Sequence, residues 1–277
     1  MDEQVNDVGM GQYPVARLRL QRAIAHGESL SRLWNEIPTG ELCTPKAELI
    51  DHDGNGVLRA TQVGSIPDEL PLLLGEQLYQ LRSALDACLY QAAIYATKSD
   101  PPPDEGKLEF PISNDQKEWP NLVKRRLAVL PVEIQGAIKG VQPFLTPFLP
   151  PPEIVKNINR SLGFLHELAR KDRHRKLHIM GSWPMDLDPI FTLPNGVIVD
   201  YLHVLPPSVL KEGTIMVEFH LKGFKGGEPV SVNPQLRTTI GCDDLPPPCD
   251  PSDTFDKRLA EMINAVGSVI YAFEQHF

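Results

Sequence analysis

Several features that define common protein classes are missing from this chain of 277 residues. It has four cysteines and no CxxC pair, so zinc-ribbon and thioredoxin-type sites have no support. No apolar run reaches the ~18 residues that a membrane-spanning helix needs. The first residues are acidic and polar, unlike a signal peptide. We therefore predict a cytoplasmic protein with no membrane partner, in which thiols are favoured over a Cys242–Cys249 disulfide.

The sequence also lacks the motifs of several large enzyme groups. It contains no P-loop, no GxGxxG after a strand, no GxSxG elbow and no kinase signature. No cofactor is predicted from the residues that remain. The formal net charge of −9 argues against broad, sequence-independent binding to a phosphate backbone, although it leaves room for a local basic site.

What the sequence does contain is apolar periodicity typical of helices, with strands near both ends. The predicted helices cover 14–36, 67–98, 121–128, 131–141, 152–180 and 254–275. The turn residues Asp53-Gly54-Asn55-Gly56 between apolar flanks predict an early hairpin within 47–63. Later strands are predicted within 197–240. Because two strands alone are marginal, we expect the hairpin to join the late strands.

These elements predict an α+β fold in a single domain over 1–277. A core of long antiparallel helices, at about 67–180, would be flanked by one antiparallel sheet. That sheet would combine 47–63 with 197–240, and a closing helix at about 254–275 would complete the domain. No internal repeat or long low-complexity linker separates modules.

Four short motifs, in order along the chain, resemble a widespread group of bacterial and phage proteins. The first is the helix segment 75–86, Gly-Glu-Gln-Leu-Tyr-Gln-Leu-Arg-Ser-Ala-Leu-Asp, which matches the pattern G-[DE]-x-x-[HY]-x-L-R-S-A-L-D. The others are Phe-Pro-Ile at 110–112, Gln-Pro-Phe at 142–144 and Asp-Arg-His-Arg at 172–175. The resemblance covers about 56–180. It implies a fold neighbourhood but no reaction, because the group has no established activity.

A strongly basic stretch at 166–178 is the main candidate for chemistry. It has five cations among the seven residues 170–176, and His166, Arg170, His174 and His178 follow one another at four-residue steps on one helix face. Within it, Arg173, His174 and His178 resemble the R-[NDH]-x(n)-H signature of HEPN-type ribonucleases. Those enzymes are helical, usually dimeric, and cleave RNA without a metal.

The HEPN resemblance implies a function and a role for each residue. Arg173 would stabilise charge on a phosphate, and His178, with His174 beside it, would act as general acid or base. RNA would be the substrate or ligand, the chain would form a homodimer, and the context would be bacterial defence or toxicity.

Three other interpretations of the same residue types stay open. The cations could be held by Asp172 and Glu167 in ordinary ion pairs, which would leave a non-catalytic binding or scaffold protein. His174 and His178 have the spacing of two metal ligands, but the HExxH arrangement is absent and no metal is predicted. The first half of an EF-hand loop is matched at 51–56, yet Gln62 replaces the carboxylate at position twelve.

Arg82 and Asp86 form a charged pair on an otherwise apolar helix. A pair of that kind at the centre of a helical bundle is usually either functional or a buried tie to another element, and we favour the tie. We expect Asp172 to be a partner of Arg82, and Arg173 or Arg175 to be a partner of Asp86. If the ribonuclease interpretation holds, this network would orient Arg173.

Overall fold

The computed structural model describes residues 12–38, 42–148, 153–174, 180–206, 208–242 and 253–276. The fold is α+β, as predicted. The helices are α1 Pro14–Asn35, α2 Glu69–Thr97, α3 Trp119–Leu122, α4 Val132–Gly140, α5 Glu153–His174 and α6 Phe255–Glu274. The strands are β1 Cys43–Leu49, β2 Asn55–Val63, β3 Met180–Leu187, β4 Ile190–Thr192, β5 Ile198–Val204, β6 Ile215–Lys222, β7 Ser231–Asn233 and β8 Leu236–Cys242.

Contacts divide the chain into two compact units, each assembled from separated segments. A helical unit comprises 1–30, 72–177 and 257–277, and a strand-rich unit comprises 31–71 and 178–256. The single domain expected from the sequence stays a prediction. Among the described residues, no helix combines the length and the apolar character that crossing a membrane would require.

The helical unit is built around the apolar stripe of α2. Its leucines recur at three- and four-residue steps and are fully buried: Leu74, Leu78, Leu81, Leu85 and Leu89. Full burial of one such side chain contributes about 1.5–3 kcal/mol. The stripe therefore fixes which face of α2 turns inward, and with it the direction of the polar residues between the leucines.

The strand-rich unit contains a four-stranded antiparallel sheet in the order β1-β2-β6-β5. The early hairpin thus pairs directly with late strands, which confirms the prediction made from the sequence. The turn between β1 and β2 is held against β6, because the Leu221 amide donates to the Gly54 carbonyl at 2.9 Å. A Cβ atom on Gly54 would lie 2.3 Å from the Leu221 carbonyl oxygen, so only glycine fits there.

The predicted helix over 152–180 is too long. The chain is already extended at Met180, where β3 begins and pairs with β8. Gly181 and Pro184 are poor strand formers, which hides β3 from a propensity argument. The register shifts between Pro184 and Asp186, and this irregularity accommodates the proline.

Candidate functional site

Helices α2 and α5 meet where Asp172 packs on Gly75. A Cβ atom on Gly75 would lie 2.8 Å from the Asp172 Oδ1 atom, so the glycine provides room for the carboxylate. Seven residues further along α2, Arg82 lies close enough to His166 of α5 to lower its pKa. Residue numbers thus increase along α2 in the direction in which they decrease along α5, so the two helices run antiparallel.

An open cleft of about 620 Å³ lies beside this contact, and we call it the Asp172 cleft. Its lining residues are Arg22, His26, Leu72, Gly75, Glu76, Tyr79, Gln80 and Asp172. The His26 imidazole, 14% exposed, has its Nδ1 atom 3.1 Å from the Glu76 carboxylate. The cleft thus combines an oriented imidazole, a guanidinium and two carboxylates, which is a set suited to proton transfer near an anion.

The Arg82–Asp86 pair forms a clamp on the backbone of Phe110. The buried Arg82 guanidinium donates to the Phe110 carbonyl at 3.0 Å, and it lies 3.5 Å from Glu109 Oε1 and 3.7 Å from Asp86 Oδ1. The Asp86 carboxylate accepts from the Phe110 amide at 2.8 Å. The pair is therefore a structural tie to residues 109–110. The side chains of Arg173 and Arg175, the expected partners of Asp86, lie outside the described residues, so that part of the network stays a prediction.

Gln142 holds the other end of the same extended segment. Its fully buried side chain accepts from the Ser113 amide at 3.0 Å and donates to the Pro111 carbonyl at 3.0 Å. It also donates to the Ile138 carbonyl at 2.9 Å. Asn159 of α5 donates in turn to the Gln142 carbonyl at 2.8 Å. The irregular segment 110–113 is thus fixed from α2 and from the end of α4.

The four motifs singled out in the sequence therefore come together in the helical unit. Gly75 meets Asp172, the Arg82–Asp86 pair holds the Phe-Pro-Ile segment, and Gln142 completes it. In the first three motifs, Gly75, Arg82, Asp86 and Gln142 each have a packing or hydrogen-bonding role that explains their chemical type, and in the fourth motif the structure describes such a contact for Asp172. This arrangement accounts for the motifs without a reaction.

His166 lies on the α5 face that turns toward the clamp. Its side chain is partly buried, and burial lowers the pKa of the imidazole, with the nearby Arg82 guanidinium acting in the same direction. The neighbouring Glu167 and Glu109 carboxylates oppose this shift and Arg170 adds to it. His166 is therefore neutral at pH 7, which avoids a second positive charge next to buried Arg82.

The predicted catalytic residues lie at or beyond the end of α5. Arg173 and His174 belong to its last turn, but their side chains are not described, and Arg175 and His178 lie outside the described residues. Asp172, immediately before them, lines the Asp172 cleft. The assignment of Arg173 and His178 as catalytic residues stays a prediction. The position of Asp172 indicates that the Asp172 cleft is the place where they would act.

One part of the Asp172 cleft could not be found by reading the sequence. His26 and Glu76 are paired although they lie on different helices, and no local pattern links them. A second cleft holds three consecutive cations, Lys124-Arg125-Arg126. That run is visible in the sequence, and its density of positive charge is the signal by which the site could have been found.

The turn that resembles an EF-hand loop is a hairpin turn. Asp51 Oδ1 accepts from the Asp53 and Asn55 amides, both at 3.0 Å, and Oδ2 accepts from the Asn55 side chain at 2.7 Å. Strands flank it, where an EF-hand has helices. Within the described ranges, no three His, Cys, Asp or Glu side chains are grouped so that they could hold a metal ion. The metal alternative at His174 and His178 falls outside what the structure describes.

Comparison of the chain with protein-family models, with curated proteins and with solved structures gives no match. Inference about function therefore depends on the geometry of the two clefts.

Proposed function

We propose that this protein binds RNA in the cytoplasm and cleaves it without a metal, at the Asp172 cleft. One observation carries the proposal: α5 brings Asp172, the residue just before Arg173 and His174, into an open cleft that also holds His26 and Arg22. The two residues that resemble a HEPN-type signature thus follow directly on a residue of a cavity large enough for a nucleotide. A homodimer, as is usual in those enzymes, belongs to the same proposal.

Metal-free cleavage of RNA needs two proton transfers, and the negative charge that develops on the phosphate oxygens in the transition state must be stabilised. The ribose 2′-oxygen attacks phosphorus while a base takes its proton, and the bond to the 5′-oxygen breaks as an acid supplies a proton. His178 and His174 would share these steps. Arg173 would stabilise the negative charge on the non-bridging oxygens, because a guanidinium binds phosphate through paired donors.

Residues of the described cleft support this chemistry. The Glu76 carboxylate orients the His26 imidazole, as a third group orients the base in many catalytic sites. Arg22 adds a guanidinium to the same lining. The products would be a 2′,3′-cyclic phosphate and a 5′-hydroxyl, with no external reactant consumed.

A second candidate is a non-catalytic binding or scaffold protein. The observation that favours it is the clamp, in which Arg82 and Asp86 are both engaged by the backbone of Phe110. In this case the end of α5 would have only a structural role.

Growth after induced expression separates the two candidates. We expect the wild type to slow growth and the double variant Arg173→Ala/His178→Ala to relieve that effect. Arg170→Ala is the control, because Arg170 lies on the same helix but makes only an exposed pair with Glu167. If the double variant slows growth as strongly as the wild type, RNA cleavage by this pair is wrong.

A further inference from the structure

A second cleft of about 610 Å³ opens at the surface of the helical unit, and we call it the basic cleft. It lies between a short 3₁₀ turn, Glu105–Lys107, and a π-helical turn, Val123–Leu127, that continues α3. Its charged lining residues are Asp104, Lys107, Glu109, Lys124, Arg125 and Arg126. Single π-helical turns are uncommon and occur often at functional sites.

The positive charges of the basic cleft exceed its negative charges. Asp104 accepts from Lys107 at 2.9 Å, and Glu109 accepts from Arg126 at 2.6 Å. No carboxylate of the described residues lies within 4.0 Å of Lys124 or Arg125, the two remaining cations. Both side chains are exposed. The cleft therefore presents two uncompensated positive charges, although the whole chain is acidic.

The turn that carries these cations is anchored at both ends. Trp119, at the start of α3, is buried and packs on Phe144 with ring centroids 5.9 Å apart. Leu127 is fully buried, and its carbonyl accepts from the Gln135 side chain at 3.1 Å. Because the backbone is fixed on either side, ordering on binding is limited to the two side chains, at about 0.5–1.5 kcal/mol each.

We propose that the basic cleft binds a phosphate group, carried by a nucleotide or by an RNA strand. A phosphate monoester has about two negative charges at neutral pH, which matches Lys124 and Arg125. Arg125 can engage two phosphate oxygens at once, while Lys124 acts as a point charge. None of the described residues that line the cleft is aromatic, so it offers no stacking surface for a base. Recognition is of the phosphate and is independent of base sequence.

This site does not depend on RNA cleavage at the Asp172 cleft. Binding of a phosphate here would remain if the end of α5 proved to be structural. If both proposals hold, the basic cleft positions an RNA strand that is cut elsewhere on the helical unit.

The test compares two double variants of the full chain that lose the same charge. Lys124→Ala/Arg125→Ala removes the two uncompensated cations, and Lys117→Ala/Lys139→Ala removes two exposed lysines outside the cleft lining. Binding of 5′-AMP is measured by calorimetry, and binding of a fluorescent oligouridylate by anisotropy. Circular dichroism and thermal melting establish that both variants are folded.

We expect the cleft variant to weaken binding by about tenfold or more, while the control binds like the wild type. For the oligouridylate, the slope of log Kd against the logarithm of the salt concentration should decrease by about 1.4 in the cleft variant. Each of the two lost phosphate contacts on a single strand contributes about 0.7 to that slope. Binding of both probes identifies the phosphate group alone as sufficient. Binding of the oligouridylate alone identifies a phosphodiester chain as the ligand.

Two results would overturn the proposal. One is that the wild type binds neither probe at low salt. The other is that the two double variants weaken binding equally, which would mean diffuse attraction and no defined site.

Discussion

Arg82 places a positive charge inside the helical unit. Its partners include the Phe110 carbonyl and the carboxylates of Glu109 and Asp86. The sequence predicted that Arg82 and Asp86 would form an interior tie, because a charged pair interrupts an apolar stripe. It could not predict the partners at 109–110, since that segment is irregular and has no periodicity from which its position could be inferred.

We expect Arg82→Ala to lower the free energy of unfolding by about 3 kcal/mol. Removal of one member of a buried charged pair costs about 3–5 kcal/mol, and Asp86 and Glu109 are partly exposed, which favours the low end. Urea denaturation measures the change. Arg170→Ala, which breaks an exposed pair, should cost less than about 1 kcal/mol. Equal losses in the two variants would contradict the clamp.

Gly75 gives a second prediction, because its role depends on Asp172. Glycine to alanine inside a helix normally stabilises by about 1 kcal/mol. In the wild type, part of that gain should be lost, since the new Cβ atom would lie 2.8 Å from the Asp172 carboxylate. In an Asp172→Ala background the full gain should return. Thermal unfolding of the four proteins in this cycle measures the coupling.

Gly136 of α4 is the control for Gly75. Apart from its chain neighbours and the nearby backbone of α4, a Cβ atom there would meet no heavy atom of the described residues within 4 Å. Gly136→Ala should therefore stabilise equally with and without Asp172. If Gly75→Ala shows the same independence, the contact between α2 and α5 at this point is wrong.

At the scale of elements, His220 joins three parts of the four-stranded sheet. From β6, its Nδ1 atom lies 2.5 Å from the Asp200 carboxylate of β5, and its Nε2 atom lies 3.0 Å from the Asp53 carbonyl in the β1–β2 turn. Both partners offer acceptor oxygens, so this geometry favours the protonated imidazole, in which both ring nitrogens donate. The hydrogen bond to Asp200 raises the pKa of His220, and the Asp53 carbonyl adds to the effect.

The sign of the resulting pH dependence follows from the raised pKa. The contribution of His220 to stability is complete below the pKa of an unfolded histidine, near 6.5, and is lost as pH rises through the folded value. An NMR titration of the His220 ring should therefore give a midpoint above 6.5. In Asp200→Asn that midpoint should fall. A wild-type midpoint at or below 6.5 would contradict this arrangement.

Elements with strong local sequence patterns could be predicted, whereas elements that contain residues unfavourable for their secondary structure could not. The leucine stripe of α2 and the Asp-Gly-Asn-Gly turn each signal one structure through local physics. β3 has no such signal, because glycine and proline occupy positions that tertiary pairing with β8 makes acceptable. Likewise, His26 and Glu76 become partners only through the packing of two helices.

At the scale of the whole molecule, the sequence predicted the union of the early hairpin with the late strands. The division into two compact units was not foreseen, since the segments of each unit alternate along the chain. Two clefts of the helical unit differ in the charged groups that line them. The Asp172 cleft has mixed charge and an oriented imidazole, whereas the basic cleft has two cations that no carboxylate of the described residues neutralises.

We propose that residues at the end of α5 cleave RNA beside the Asp172 cleft. The most direct measurement is the rate of cleavage of a labelled single-stranded RNA in EDTA, with analysis of the product ends. We expect 2′,3′-cyclic phosphate ends from the wild type and a rate at least about 100-fold lower from Arg173→Ala/His178→Ala. Arg170→Ala/His203→Ala, which removes an exposed arginine and an exposed histidine elsewhere, should cleave like the wild type. Equal rates from the wild type and Arg173→Ala/His178→Ala, or no cleavage by the wild type, would contradict the claim.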